Sequence, residues 1–326
     1  MTTRRQFLVA GALGALNVRY AAAQGRRPRV GMLTGLPVDK SVVAPLLLNA
    51  LAELGYRDGA GMILEYRHSA GDDREDRLLQ LARELIAAKC DLIFALPSEP
   101  IARAFLNAQT QVPVVFAAVD YDPLEKRIVS SLRQPGGNLT GVYVPIGALT
   151  AKRLEIAQEV LPAARHFLVL TDTHTREQLA ILRRAAESRQ VQLTVIEYGQ
   201  RPYDLQAGFD AGRRAGVEAL IVFSSGEFAS RRGELSALVA KYRLPLFASA
   251  FMAGEPGMLV GYSQDLPKVL RRAAEMGIKI LKGGKPADMP VEQADTFELT
   301  VNLKTAAALG VKIPYSVLAR ATKVIE

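Results

Sequence analysis

Cysteine occurs once in this chain of 326 residues, at Cys90, and tryptophan not at all. A single thiol excludes an internal disulfide and every paired-cysteine metal motif. Histidine is nearly as scarce. His68, His166 and His174 lie far apart in sequence, so no zinc-ligand spacing exists and no metal or cofactor is expected. No run approaches the roughly 18 apolar residues of a membrane span. There is no G-x-G-x-x-G, so a nicotinamide or flavin dinucleotide site is unsupported, and no P-loop or G-x-S-x-G. A nucleophile–His–acid arrangement is also missing. Asp120 and Asp122 on one loop are the only hint of acid–base work, and a weak one.

Acidic residues are absent from the first 23 positions, where Arg4, Arg5 and Arg19 sit; without those three the formal charge falls from +8 to +5. The remaining basic residues are scattered, which does not suit a nucleic-acid partner. The leader itself is informative. TTRRQFL (2–8) sets an arginine pair before a short apolar segment, Phe7–Leu16, and Ala21-Ala22-Ala23 reads as a cleavage site. Residues 1–23 are therefore expected to be a removable export signal, twin-arginine-like, with a Sec signal as the plainer alternative. No cysteine follows to anchor a lipid, so a free, soluble periplasmic chain starting near Gln24 is expected.

The stretch that organises the chain is DLIFALPSEPIARA, residues 91–104. Asp91–Leu96 reads as a buried parallel strand that Pro97 stops. Ser98 is then a good N-cap, and Pro100 is tolerated in a first turn. A short loop thus leads from the carboxyl end of a strand to a helix N-terminus, where open α/β sheets hold small and especially anionic ligands. An ordinary capped turn is the alternative.

Around this stretch the pattern alternates. Strands are expected at 29–33, 63–66, 91–96 and 114–119, with helices at 42–54 and 74–89 and from Ser98. PGGN (135–138) is a turn and Leu139–Val144 a strand running into Pro145. A second series follows: helix 147–160, strand 166–171, helix 175–190, strand 191–198, helix 204–215, strand 219–223, helix 230–243, strand 246–249. Alternation of this kind predicts doubly wound parallel sheets, and its repetition predicts two similar α/β lobes. The tail departs from it, with strand 258–262, helix 266–282, strand 297–301 and helix 303–309.

The tail ILKGGKPADMPVEQADTFELTVNLKTAAALGVKIPYSVLARATKVIE (280–326) closely resembles the C-terminus of the ABC-transporter substrate-binding protein family that includes tryptophan/tyrosine binders. LAELGYRDGAGMILEYRHSAGDDRE (51–75), PVVFAAVDYDP (113–123), SLRQPGGNLTGV (131–142) and AKRLEIAQEVLP (151–162) match as well. The resemblance covers almost all of the chain after the leader. It implies a type I periplasmic-binding-protein fold: two α/β lobes, joined by three crossing segments, that close on a ligand. Lobe 1 is then expected at 24–144 plus 250–285, and lobe 2 at 145–249 plus 295–326.

In such a fold the ligand lies at the carboxyl ends of strands from both lobes. The candidates are Thr34, Ser98, Glu99, Asp120 and Tyr121 on lobe 1, and Asp172, Ser224, Ser225 and Phe228 on lobe 2. Phe251 and Tyr262 lie near the crossings. Ser98 and adjacent N–H groups suit a carboxylate. Asp120, Asp122 or Asp172 suits an ammonium, and Tyr121, Phe228, Phe251 and Tyr262 suit an aromatic wall. Asp120 and Asp172 also suit turn-shaping, Phe251 and Tyr262 also suit core or inter-lobe packing, and His174 reads as a surface residue at a helix start. Glu99 is bulkier and more acidic than the Thr or Ser with small neighbours that the family often has there.

The function expected is a monomeric solute receptor that binds an amino acid or similar polar or aromatic solute and docks on a membrane permease. A sensing subunit for a signalling receptor is the alternative, and an enzyme on the same scaffold is weaker. A repressor effector domain would carry an N-terminal helix-turn-helix where this chain has its leader.

Overall fold

In a computed structural model, the structure describes residues 26–119, 121–199, 202–223, 225–249, 252 and 255–326, except for the side chains at 174 and 226. The first lobe is built from β1 (Arg29–Thr34), α1 (Val43–Glu53), β2 (Ile63–His68), α2 (Glu75–Ala87), β3 (Leu92–Ala95), α3 (Glu99–Asn107), β4 (Val114–Ala118) and β5 (Leu139–Tyr143). Its strands pair in parallel in the order β2-β1-β3-β4-β5. β3, β4 and β5 are buried throughout, which is why β3 and β4 read as continuous apolar runs rather than alternating ones.

The second lobe opens with α4 (Ile146–Val160) and β6 (His166–Asp172). It continues with α5 (Arg176–Ser188), β7 (Gln192–Tyr198), α6 (Leu205–Ala215), β8 (Ala219–Val222), α7 (Gly226–Ser230), α8 (Arg232–Tyr242) and β9 (Leu246–Ala248). The helix expected over 230–243 is α8, with the short α7 preceding it, and a 3-10 turn at Thr173–Thr175 precedes α5. Next come β10 (Met258–Gln264), α9 (Leu266–Leu281), β11 (Glu292–Gln293), β12 (Phe297–Asn302), α10 (Leu303–Leu309), α11 (Tyr315–Leu318) and β13 (Lys323–Ile325). The second sheet runs β13-β12-β10-β9-β8-β6-β7, parallel except where β10 meets β12.

One expectation is corrected by this pairing. Residues 250–285 are expected together in lobe 1, yet β10 bonds to β9 and β12 and so belongs to the second sheet. What returns to the first lobe is α9, packed on α1, β3, β4 and β5, followed by β11 beside β5. Apolar patterning marks a strand without saying which neighbour it bonds; register partners decide that. The chain therefore crosses at Val144–Pro145, at Asp265, and between β11 and β12.

Each sheet is covered on both faces. In the first lobe, Val30, Met32 and Phe94 face α1 and α9, whereas Leu33, Ile93 and Phe116 face α2 and α3. Two further clusters flank the second sheet in the same way. Both lobes are thus doubly wound, the type I periplasmic-binding-protein arrangement. Gly277 lets α9 settle closely on the first sheet: a Cβ there would come 2.5 Å from Phe94 Cζ and 2.8 Å from Leu92 Cδ2.

Candidate functional site

The carboxyl ends of both sheets meet where the crossings gather. On the first lobe, Thr34 ends β1 fully buried. Its hydroxyl lies 2.5 Å from the Tyr66 phenol, and each donates to the Leu36 carbonyl at 2.7 Å. Burial raises the Tyr66 phenol above its ordinary range. Thr34 is therefore committed to shaping its own loop. His68, at the end of β2, lies 6.0 Å from the Tyr66 ring, and its Nδ1 is buried without a partner among the described residues.

Ser98 occupies the N-cap of α3 with extended backbone, and Pro100 lies in the first turn, as the sequence implied. Its hydroxyl, however, caps no N–H of the helix. The first-turn amides have no intrahelical acceptor. Ser98 and these amides are accordingly a free donor set at a positive dipole end. Glu99 is differently placed: its carboxylate pairs with Arg103 one turn along the same helix. Arg103 Nη2 in turn donates to the Lys126 carbonyl at 2.6 Å, tying α3 to the loop after β4.

Tyr121 is 2% exposed and packs 6.4 Å from Phe116 in the first lobe's core, not in the aromatic wall expected for it. The Asp122 carboxylate accepts from the Leu124 and Glu125 amides at 2.7 and 3.0 Å, which shapes a turn. Asp120, Ser224 and Phe251 lie outside the described residues, as does the leader.

On the second lobe Asp172 ends β6 fully buried. The Thr175 hydroxyl lies 3.1 Å from its carboxylate and accepts from its amide at 3.0 Å; the Tyr203 phenol lies 3.5 Å from the other carboxylate oxygen. Ser225 caps α7 by accepting from the Phe228 amide at 3.3 Å. Phe228 is wholly buried against Tyr198 and Tyr203, which stack at 4.8 Å. It belongs to the lobe core, a second correction to the expected wall. Tyr262 packs against the cores of both lobes and lies 6.1 Å from the Phe297 ring, beside the second and third crossings. Inter-lobe packing is its role here.

Sequence reasoning missed three features of this region. Lys126 of the first lobe forms an ion pair with Glu177 in the first turn of α5, across the two lobes. Gln178, next to it, is 1% exposed, and neither amide atom has a partner among the described residues. Arg153 is buried in α4 and donates from Nε to the Tyr262 carbonyl at 2.8 Å. A signal for Arg153 existed: it stands with Leu149, Ala157 and Val160 on the apolar stripe of its helix. Among the described residues no group of His, Cys, Asp and Glu could hold a metal ion, and no helix is long and apolar enough to cross a membrane.

Residues 43–325 match the family described as ABC transporter substrate binding protein. A tyrosine-binding protein of Clostridioides difficile is 27% identical over 270 residues, 81% of this chain and 75% of its own. The fold superimposes with a TM-score of 0.78 on an ABC domain from Streptococcus pneumonia in complex with L-Trp, 25% identical, covering 92% of this chain and all of the other. A conserved domain protein from Vibrio cholerae gives 0.79 at 24% identity, with the same coverage.

Proposed function

The chain belongs to the ABC transporter substrate binding protein family, and from that premise we propose that it is the extracytoplasmic receptor of an ABC importer for an aromatic or similar amino acid. The family consists of binding proteins, not enzymes. One observation carries the choice of ligand class: the relative that matches over 81% of the chain is named for binding tyrosine. The L-Trp complex points to the same chemistry.

Nothing in this function needs a reacting group. It needs a ligand that binds the closed arrangement better than the open one, so that closure reports occupancy to a permease. Ser98 and the first-turn amides of α3 receive the carboxylate. The twin-arginine leader exports the folded chain, which acts as a monomer because its lobes must swing.

Native mass spectrometry of residues 24–326, followed by thermal shifts with amino acids, aromatic acids, nucleosides and sugars, tests the reading. A co-purified amino acid that also raises the melting temperature supports it. A sugar or nucleoside in its place overturns the ligand class and leaves the family assignment intact.

A further inference from the structure

Arg153 is the least economical side chain in the second lobe. It is 1% exposed, and among the described residues only its Nε has a partner, the Tyr262 carbonyl. Both Nη atoms are shut from solvent without a hydrogen bond, and no ion pair involves Arg153 among the described residues. Burial pulls the guanidinium down to about 10. A buried guanidinium is ordinarily compensated by an anion, since removing its water costs several kcal/mol. A single bond to one carbonyl requires no positive charge.

Its position indicates where a compensating anion would come from. α4 begins just after the first crossing, and a long helical side chain is directed back toward the N-terminus of its helix. Tyr262, whose carbonyl Arg153 holds, lies two residues before the end of β10 and hence beside the second crossing, with its ring against both cores. The guanidinium is thus set under the floor where the lobes hinge.

We propose that Arg153 is the anion receptor of the ligand site, its two Nη groups bonding the carboxylate of the solute when the lobes reopen and close on it. This rests on the amino-acid reading above. Ser98 from the first lobe and Arg153 from the second occupy different lone pairs of the same carboxylate, which has about four acceptor sites. Such sharing couples binding to closure. An Arg fork is suited to this geometry, and a lysine is not its equivalent.

Arg153→Met separates this role from a structural one. Thermal melts and calorimetry compare wild type, R153M and R153K with L-tyrosine, L-tryptophan, tyramine and tryptamine. The wild type is expected to bind an amino acid and neither amine. R153M is expected to melt, ligand-free, at the same or a higher temperature, because it removes an uncompensated charge. It should lose affinity on the order of 100-fold. R153K should fold as the wild type does and bind at least about tenfold more weakly.

An R153M chain that melts lower when ligand-free, or binds as the wild type does, overturns the proposal and leaves the amino-acid reading in place. If R153M does not fold, undiminished binding by R153K overturns it equally. A wild type that binds neither amino acid overturns both readings.

Discussion

Lys126 and Glu177 join the two lobes through an ion pair between the loop after β4 and the first turn of α5. The backbone of Lys126 is held in turn by Arg103, which pairs with Glu99. The charge link across the lobes is thus anchored to the helix that carries Ser98. Both partners are about one-third to one-half exposed, at 35% and 47%, so the pair is worth about 0.2–1 kcal/mol. Reversing Lys126 to Glu is expected to weaken ligand affinity by about 1.5- to 5-fold at low salt. Adding Glu177→Lys should restore it, and 1 M salt should erase the difference. Calorimetric titration at two ionic strengths measures all of this.

Ser98 and Glu99 are adjacent, and opposite outcomes are expected of them. The Ser98 hydroxyl caps no amide, so Ser98→Ala should leave the melting temperature nearly unchanged and cost affinity on the order of tenfold, as loss of a bond to a charged group does. Glu99→Gln breaks only the partly buried pairing with Arg103 along its own helix and should change affinity by less than about threefold. Titration of both variants with the same ligand distinguishes the two roles.

Gly277→Ala would normally favour a helix by about 1 kcal/mol. Here the added methyl meets Phe94 Cζ at 2.5 Å, and Phe94 is fully buried between β1 and β4 with nowhere to retreat. Overpacking wins, with an expected loss of about 1–3 kcal/mol in denaturant unfolding. Ligand affinity should hold, since α9 stands on the face of the first sheet and not at its carboxyl ends.

Cys90 has a thiol raised from its ordinary value near 9 to about 11, burial being the main cause. Above pH 9 the unfolded chain loses this proton first, so the native state holds more protons and stability falls as pH rises. The contribution is complete below about 9 and is lost by about 11. Cys90→Ala should flatten that part of the stability profile between pH 9 and 11. At pH 8 the native thiol should resist alkylation and react only on unfolding.

Much of the fold was legible from residues alone. The apolar runs at 92–95 and 114–118 marked strands buried on both faces, and the stripe Leu78, Leu81, Ala82, Leu85 marked an amphipathic helix. The short elements were not. β11 has two residues and β13 three, too few for a period to register.

The site was legible only in outline. Thr34, Ser98 and Asp172 do lie at the ends of strands or the start of the following helix, because strand-to-helix turns announce themselves through Pro, Ser and Thr. Whether each side chain stays free was not legible. The Thr34 hydroxyl is spent on Tyr66 and Leu36, and Ser225 on its own helix. Tyr121 and Phe228 carry the same residue types as a binding wall, yet their rings fill the lobe cores.

The amino-acid sequence by itself determined the alternation of elements, the doubly wound class and the strand-to-helix turns at 96–99 and 172–175, since these follow from local periodicity and turn chemistry. Only the tertiary structure decided that β10 joins the second sheet, that Lys126 reaches Glu177, and that Arg153 is buried with two of its nitrogens unpaired among the described residues. Each of those depends on partners distant in the chain, and hydrogen-bond pairing and desolvation exist only once such partners have met.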